Sequence, residues 1–145
     1  MNFQKLLRTD AETGFATWTN QDASSITKGM GAAIATLAAS NTGHIVIRPV
    51  GGLEHMFAGI ANSDVASLGV GRFITWGYAA SVLMGRRGTS VTVTTSDQVG
   101  ACGANSRGGF GSAGGGLTHL YGPVLSLETV TVSTTTYMKG WVRAM

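Results

Sequence analysis

The chain has one cysteine, two prolines and few charges: only 12% of its 145 residues are Asp, Glu, Lys or Arg. The lone Cys102 excludes an intrachain disulfide, and one thiol with three scattered histidines supplies no structural zinc site. No apolar run approaches the roughly 18 residues of a membrane-spanning helix, because Gly, Ser, Thr or a charge interrupts every candidate, so a soluble, non-spanning chain is expected. The 22 glycines follow no Gly-X-Y period, which excludes collagen, and no fixed internal repeat is visible, which excludes solenoids and propellers. What remains is apolar. At 43% hydrophobic residues the composition opposes disorder and coiled coil, and 145 residues fit one ordinary domain with a self-sufficient core.

Charge is unevenly placed. Met1 to Gly71 holds four basic and five acidic residues, a sum of −1; Arg72 to Met145 holds six and two, a sum of +4. With no cluster beyond Arg86-Arg87, the basic residues are too dilute for a nucleic-acid stripe. Residues 1–13 read as an N-terminal extension. Charged Lys5 and Arg8 are followed by Thr9-Asp10-Ala11-Glu12 rather than by an apolar core and cleavage signature, so no signal peptide is expected in this chain.

Apolar periodicity predicts an α/β organisation. Phe15-Ala16-Thr17-Trp18-Thr19 reads as a strand. Ile26 to Ala39, with Ile26, Met30, Ala33, Ile34 and Leu37 at spacings of three and four, reads as an amphipathic helix capped by Ser24-Ser25, although Gly29 and Gly31 weaken its first turns. A strand at 44–48 closes at Pro49, and Val50-Gly51-Gly52 turns the chain. Leu53, Met56, Phe57 and Ile60 then follow helical spacing, and 64–70 reads as a third, largely buried strand. Arg72 to Met84 suits a helix with a broad apolar face. Residues 14–88 thus form a lobe of βαβ units with a parallel sheet. The rest, 89–145, is a partial second region: strands at 89–95 and 130–134, a glycine-rich loop at 100–116, and a helix-like pattern from Thr136 to Met145.

In such a sheet, ligands bind where strand ends meet helix starts, because unpaired N–H groups and the helix dipole converge there. Ser24 and Ser25 would offer hydroxyls, Gly51 and Gly52 bare backbone, and Arg72 a fork for a carboxylate. The plainer alternative is that the serines cap, the glycines turn and Arg72 is solvated. No metal or cofactor is implied.

The order Ala16-Thr17-Trp18-Thr19, Ser24-Ser25, a Gly/Ala-rich helix, Arg48-Pro49, Gly51-Gly52 and Asp64-Val65-Ala66 resembles the first lobe of TAXI-type solute receptors of TRAP transporters. Gly115-Gly116-Leu117-Thr118, Val130-Thr131-Val132 and Tyr137 to Met145 are similar to a later segment of that family. The resemblance implies a type II periplasmic-binding-protein fold whose second lobe is incomplete here. It further implies capture of a small organic anion, such as a dicarboxylate or an acidic amino acid, and delivery to membrane permease subunits outside the cytoplasm, without catalysis. A chain of this length implies a truncated or divergent member.

Two other classes compete. Ala104-Asn105-Ser106-Arg107-Gly108 approximates a nucleophile elbow, with His119 and Asp97 as nominal partners, but the glycine-rich run before it contradicts the buried strand an elbow needs. Cys102 has no neighbouring cation to activate it. His44 and His55 lack a second ligand at metal spacing and read as packing or surface residues. A structural or assembly protein, for example a virion component, would explain the thin charge inventory and the abundance of Gly, Ser and Thr without any small-molecule site.

Overall fold

Among the described residues, strands and not helices satisfy most of the backbone. The computed structural model describes residues 12–35, 44–49, 56–85, 91–101, 110–112, 123–132 and 136–144. Their eleven strands are β1 (Thr13–Asn20), β2 (Gly31–Ile34), β3 (Ile45–Ile47), β4 (Phe57–Ala61), β5 (Val70–Met84), β6 (Val91–Val93), β7 (Gln98–Ala101), β8 (Phe110–Ser112), β9 (Val124–Ser126), β10 (Val130–Val132) and β11 (Thr136–Arg143). Among the described residues no helix is long and apolar enough to cross a membrane.

Nine strands form one sheet in the order β1-β3-β2-β4-β5-β11-β9-β7-β8, with β1 also pairing β5 and β5 also pairing β8. These extra pairings close the sheet twice. One ring runs β1-β3-β2-β4-β5 and the other β5-β11-β9-β7-β8, so the fifteen-residue β5 belongs to both. Closure removes the exposed edges that make an open sheet prone to unwanted pairing. β10 and β6 make a separate two-stranded ladder, with Val130 opposite Val93 and Val132 opposite Val91.

Each ring has its own core. Ile26, Met30, Ala32, Val46, Ala58, Ala61, Val65, Phe73 and Leu83 pack together in the first, with Trp18 and Ile34 against them. Val82, Met84, Val93, Val99, Phe110, Val124, Met138 and Val142 belong to the second, which Phe57, Ile60 and Ile74 join. β4 is buried at every position and contributes Ala58 and Ala61 to one core, Phe57 and Ile60 to the other.

The expected α/β lobe is therefore corrected to a nearly all-β fold. Where a helix was expected at 26–39, the described residues 26–35 form a turn followed by β2, and 36–39 lie outside the described residues: Gly29 takes φ +84°, its N–H donates to Ala61 O at 2.8 Å, and its carbonyl accepts from Leu83 N at 2.9 Å. Those long-range bonds outweigh the local helix preference of Ala and Met, which was already reduced by two glycines. The segment from Leu53 to Ile60 holds β4 instead of a helix, and the 72–84 segment lies wholly within β5. The helical pattern at 136–145 is β11, where Met138, Gly140 and Val142 turn inward by twos. The third expected strand, 64–70, is mostly turn, with one bridge between Val65 and Ile26 before β5 begins. A parallel sheet is not formed. β1 and β3 do run parallel over Thr19↔Ile45 and Asn20↔Val46, but β5 runs antiparallel to β1, β4 and β11.

Candidate functional site

Among the described residues, no helix start stands at the strand ends where the anion crevice was expected. Ser24 and Ser25 are exposed in the turn after β1 and cap no helix. The amide of Ser24 donates to Asp22 Oδ1 at 3.1 Å, and its carbonyl accepts from Asn20 Nδ2 at 2.9 Å, so the turn is stitched to itself. Gly51 and Gly52 lie outside the described residues, as do Cys102, His55, the 104–108 segment and His119. Arg72 sits inside β5, opposite Thr17, and its guanidinium lies 4.2 Å from the centroid of the Phe15 ring. Phe15 is further from the Asn20 end of β1 than Thr17 is, so the guanidinium leans away from Ser24 and Ser25. Among the described residues, then, the Arg72 guanidinium packs on Phe15 and not on Ser24 or Ser25.

An arginine–carboxylate fork does exist in that turn, but both halves belong to the chain. Arg48 Nε donates to Asp22 Oδ2 and Arg48 Nη2 to Asp22 Oδ1, each at 2.8 Å. The bond from Arg48 holds the Asp22 carboxyl below the ordinary range, against partial burial that pushes it upward; the same bond raises Arg48. The pair fastens the turn after β1 to the end of β3. Asp97 is similarly occupied, accepting Thr94 N at 2.7 Å in a tight turn. Among the described residues no group of three or more His, Cys, Asp and Glu is placed to hold a metal ion.

The features with chemical character are exposed side chains on β1, β5 and β11. Along β5 and the turn before it, Leu68, Val70 and Trp76 are 74%, 69% and 49% exposed, and Arg72 is exposed as well. Leu68, Val70 and Arg72 share one parity, but Ile74 of that parity is buried and the register against β1 shifts between Ile74 and Trp76, which places Trp76 beside Gly14 on the other side of the strand. On the neighbouring β1, Phe15 is exposed beneath Arg72. On β11, Arg143 stands opposite Trp76 and Trp141 opposite Tyr78, and the rings of Trp76 and Trp141 meet edge to face at 6.2 Å. Of the buried residues on the same strands, Phe73 packs in the first core and Ala79 and Val142 in the second. Of these residues, the sequence singles out only Arg72. The signal for the rest is the alternation Val70, Arg72 against Gly71, Phe73, which reads as a strand once helix is set aside and which the buried Ile74 interrupts.

Leu68 adds a local oddity. It occupies a left-handed conformation, φ +60°, in the turn from Ala66 to Gly69, where its N–H donates to Asn20 O at 2.8 Å. Glycine or asparagine suits that conformation better than leucine.

The described residues define a nearly all-β protein of two rings, with exposed aromatic and arginine side chains on β1, β5 and β11. No protein-family model matches the chain, and no curated protein sequence matches it.

Proposed function

We propose that this chain is a non-catalytic structural subunit of a larger protein assembly, for example a virion component, and works by surface contact. Exposed apolar side chains carry the reading: although the nine-stranded sheet closes on itself, Leu68, Val70 and Phe15 stand in water near Arg72, and Trp76 stands in water on the other side of β5. Single exposed apolar residues are ordinary, but several grouped near an arginine have the composition of an interface centre. Fully burying one Val or Leu side chain contributes about 1.5–3 kcal/mol, enough for a few of them to hold a contact. Solute capture is less well supported, because its strand-end rim and helix starts are missing from the described residues.

Size-exclusion chromatography with light scattering, run beside a thermal-shift screen of succinate and glutamate, tests this. The assembly reading expects a mass above the 14.9 kDa of one chain and no thermal shift from either carboxylate. A monomer at every concentration, stabilised by a millimolar carboxylate, would reject it.

A further inference from the structure

We propose that the outward side of β11, with the part of β5 beside it, is a stacking platform for single-stranded nucleic acid; the inference goes beyond the assembly reading and stands on other residues. Burial alternates along β11: Met138, Gly140 and Val142 turn inward, so Tyr137, Lys139, Trp141 and Arg143 stand on the outward side, aromatic and cation by turns. β5 adds two rings to that side, because Trp76 lies directly opposite Arg143 and Tyr78 opposite Trp141. Trp76 and Tyr137 are 49% and 52% exposed, and Lys139 and Arg143 are exposed as well. No run of basic residues announces this in the sequence; the two-residue period of a strand brings the cations together instead.

Unpaired bases on a phosphate chain call for this composition, since every base has a face to stack and every link carries a negative charge. The indoles of Trp76 and Trp141 meet at 6.2 Å with their planes 81° apart, so they cannot both lie on one base and suit two bases that turn independently, as in a single strand. A duplex hides its base faces, and two cations neutralise too few phosphates to hold it. Neither β5 nor β11 contains Asp or Glu, and the whole chain has a pI near 9.4. Glu128 lies 3.9 Å from Lys139 in an exposed pair loose enough to yield to a phosphate, and Glu12, one residue before β1, has an interaction of its own. A protein partner is disfavoured, because the exposed residues of β11, and of β5 from Trp76 onward, include no Leu, Ile, Val or Met to build an aliphatic contact.

The test titrates the whole chain into fluorescein-labelled oligo-dT, a labelled duplex of the same length and labelled polyglutamate, read by anisotropy. Oligo-dT is expected to bind at least about tenfold more tightly than the other two probes and to quench tryptophan emission, a readout that needs no variant. The logarithm of its affinity should fall with the logarithm of salt at a slope of about −1.4, as for two phosphates neutralised on a single strand, and Arg143→Gln should make that slope shallower by about 0.7. Trp76→Ala should weaken binding by about fivefold or more, and Trp76→Phe, which keeps a ring, should recover most of the loss, which separates lost stacking from a damaged fold. Equal binding of the duplex or of polyglutamate overturns the proposal in favour of unspecific charge. An unchanged slope in Arg143→Gln, parental affinity in Trp76→Ala, or no binding of oligo-dT by the folded chain also overturns it. None of these results depends on the mass found by light scattering, which tests the assembly reading separately.

Discussion

Asn20 and Val65 stand forty-five positions apart, and Nδ2 of the fully buried asparagine donates to the Val65 carbonyl at 3.1 Å. The same amide nitrogen reaches Ser24 O at 2.9 Å and Ala66 O at 3.1 Å, while Oδ1 accepts Asp22 N at 2.9 Å. One side chain thus joins the turn after β1 to the turn before β5. Asn20→Ala would leave buried carbonyls unpaired and should cost about 2–4 kcal/mol in chemical denaturation. Asn20→Asp should be at least as damaging, because a carboxylate cannot donate to those carbonyls. Near-native stability of either variant would remove Asn20 from this role.

The Asp22–Arg48 fork predicts an acid sensitivity with a definite sign. Arg48 depresses the Asp22 carboxyl in the folded chain, so the pair's stabilisation is fully present above the ordinary carboxylate range. It is lost as pH falls through the lowered folded value, because protonation then favours the unfolded chain. Unfolding free energies measured across acidic pH should decline, and Asp22→Asn should flatten part of that decline. An identical acid profile for the variant would show that other carboxylates carry the effect.

How much of this was legible depended on whether local pattern or distant pairing decided each segment. Residues 15–19 and 44–48 contain most of the observed β1 and all of β3, and 130–134 contains β10, because β-branched and aromatic residues there agree with the ladder they enter. β5 misled for a physical reason: apolar residues cover both its sides, since Phe73 faces one core while Ile74 joins the other, and a two-sided strand mimics a helix with a broad apolar face. At β2, Gly31 needs its missing side chain because an added Cβ would stand 2.8 Å from the Phe110 ring, contributed by β8. Arg72 could be named as an exposed cation from sequence, but the Phe15 ring beneath it depends on the register of β1 against β5.

Gly77 is where β1 and β11 both meet β5, opposite Thr13 on one side and Val142 on the other. Its φ is +98°, and an added Cβ would collide with the Glu12 carbonyl oxygen. Gly77→Ala should therefore cost about 2–4 kcal/mol, from backbone strain plus displacement of the start of β1. Gly100 is the comparison: a Cβ there meets nothing within 4 Å, and Gly100→Ala should stay within about 0.5 kcal/mol of the parent. Denaturant midpoints for the two variants decide the matter, and equal effects would contradict the role given to Gly77.

Because β5 is common to both rings, the two cores should melt together. Phe73 is fully buried in the first core and Phe110 in the second, so Phe73→Ala and Phe110→Ala should each cost about 3–5 kcal/mol. Either substitution is expected to shift one common transition, seen alike by circular dichroism and by tryptophan fluorescence, to which Trp18 contributes from the first ring. Two separated transitions, with one ring retained after the other has melted, would refute the coupling.

Leu68 separates folding from assembly more sharply than any other position. Its left-handed backbone costs leucine about 1–2 kcal/mol that glycine would avoid, while glycine adds about 0.5–1 kcal/mol of unfolded-state entropy. The side chain is 74% exposed, so little burial is lost on removing it. Leu68→Gly should thus leave the isolated fold as stable as the parent, or more stable by up to about 1 kcal/mol. In an assembly that buries Leu68, the same change removes about 2 kcal/mol of contact and should weaken association by more than about tenfold. Light scattering and denaturation on one preparation distinguish the two effects. A variant that assembles as well as the parent would place Leu68 outside the contact and leave its strain without a functional account.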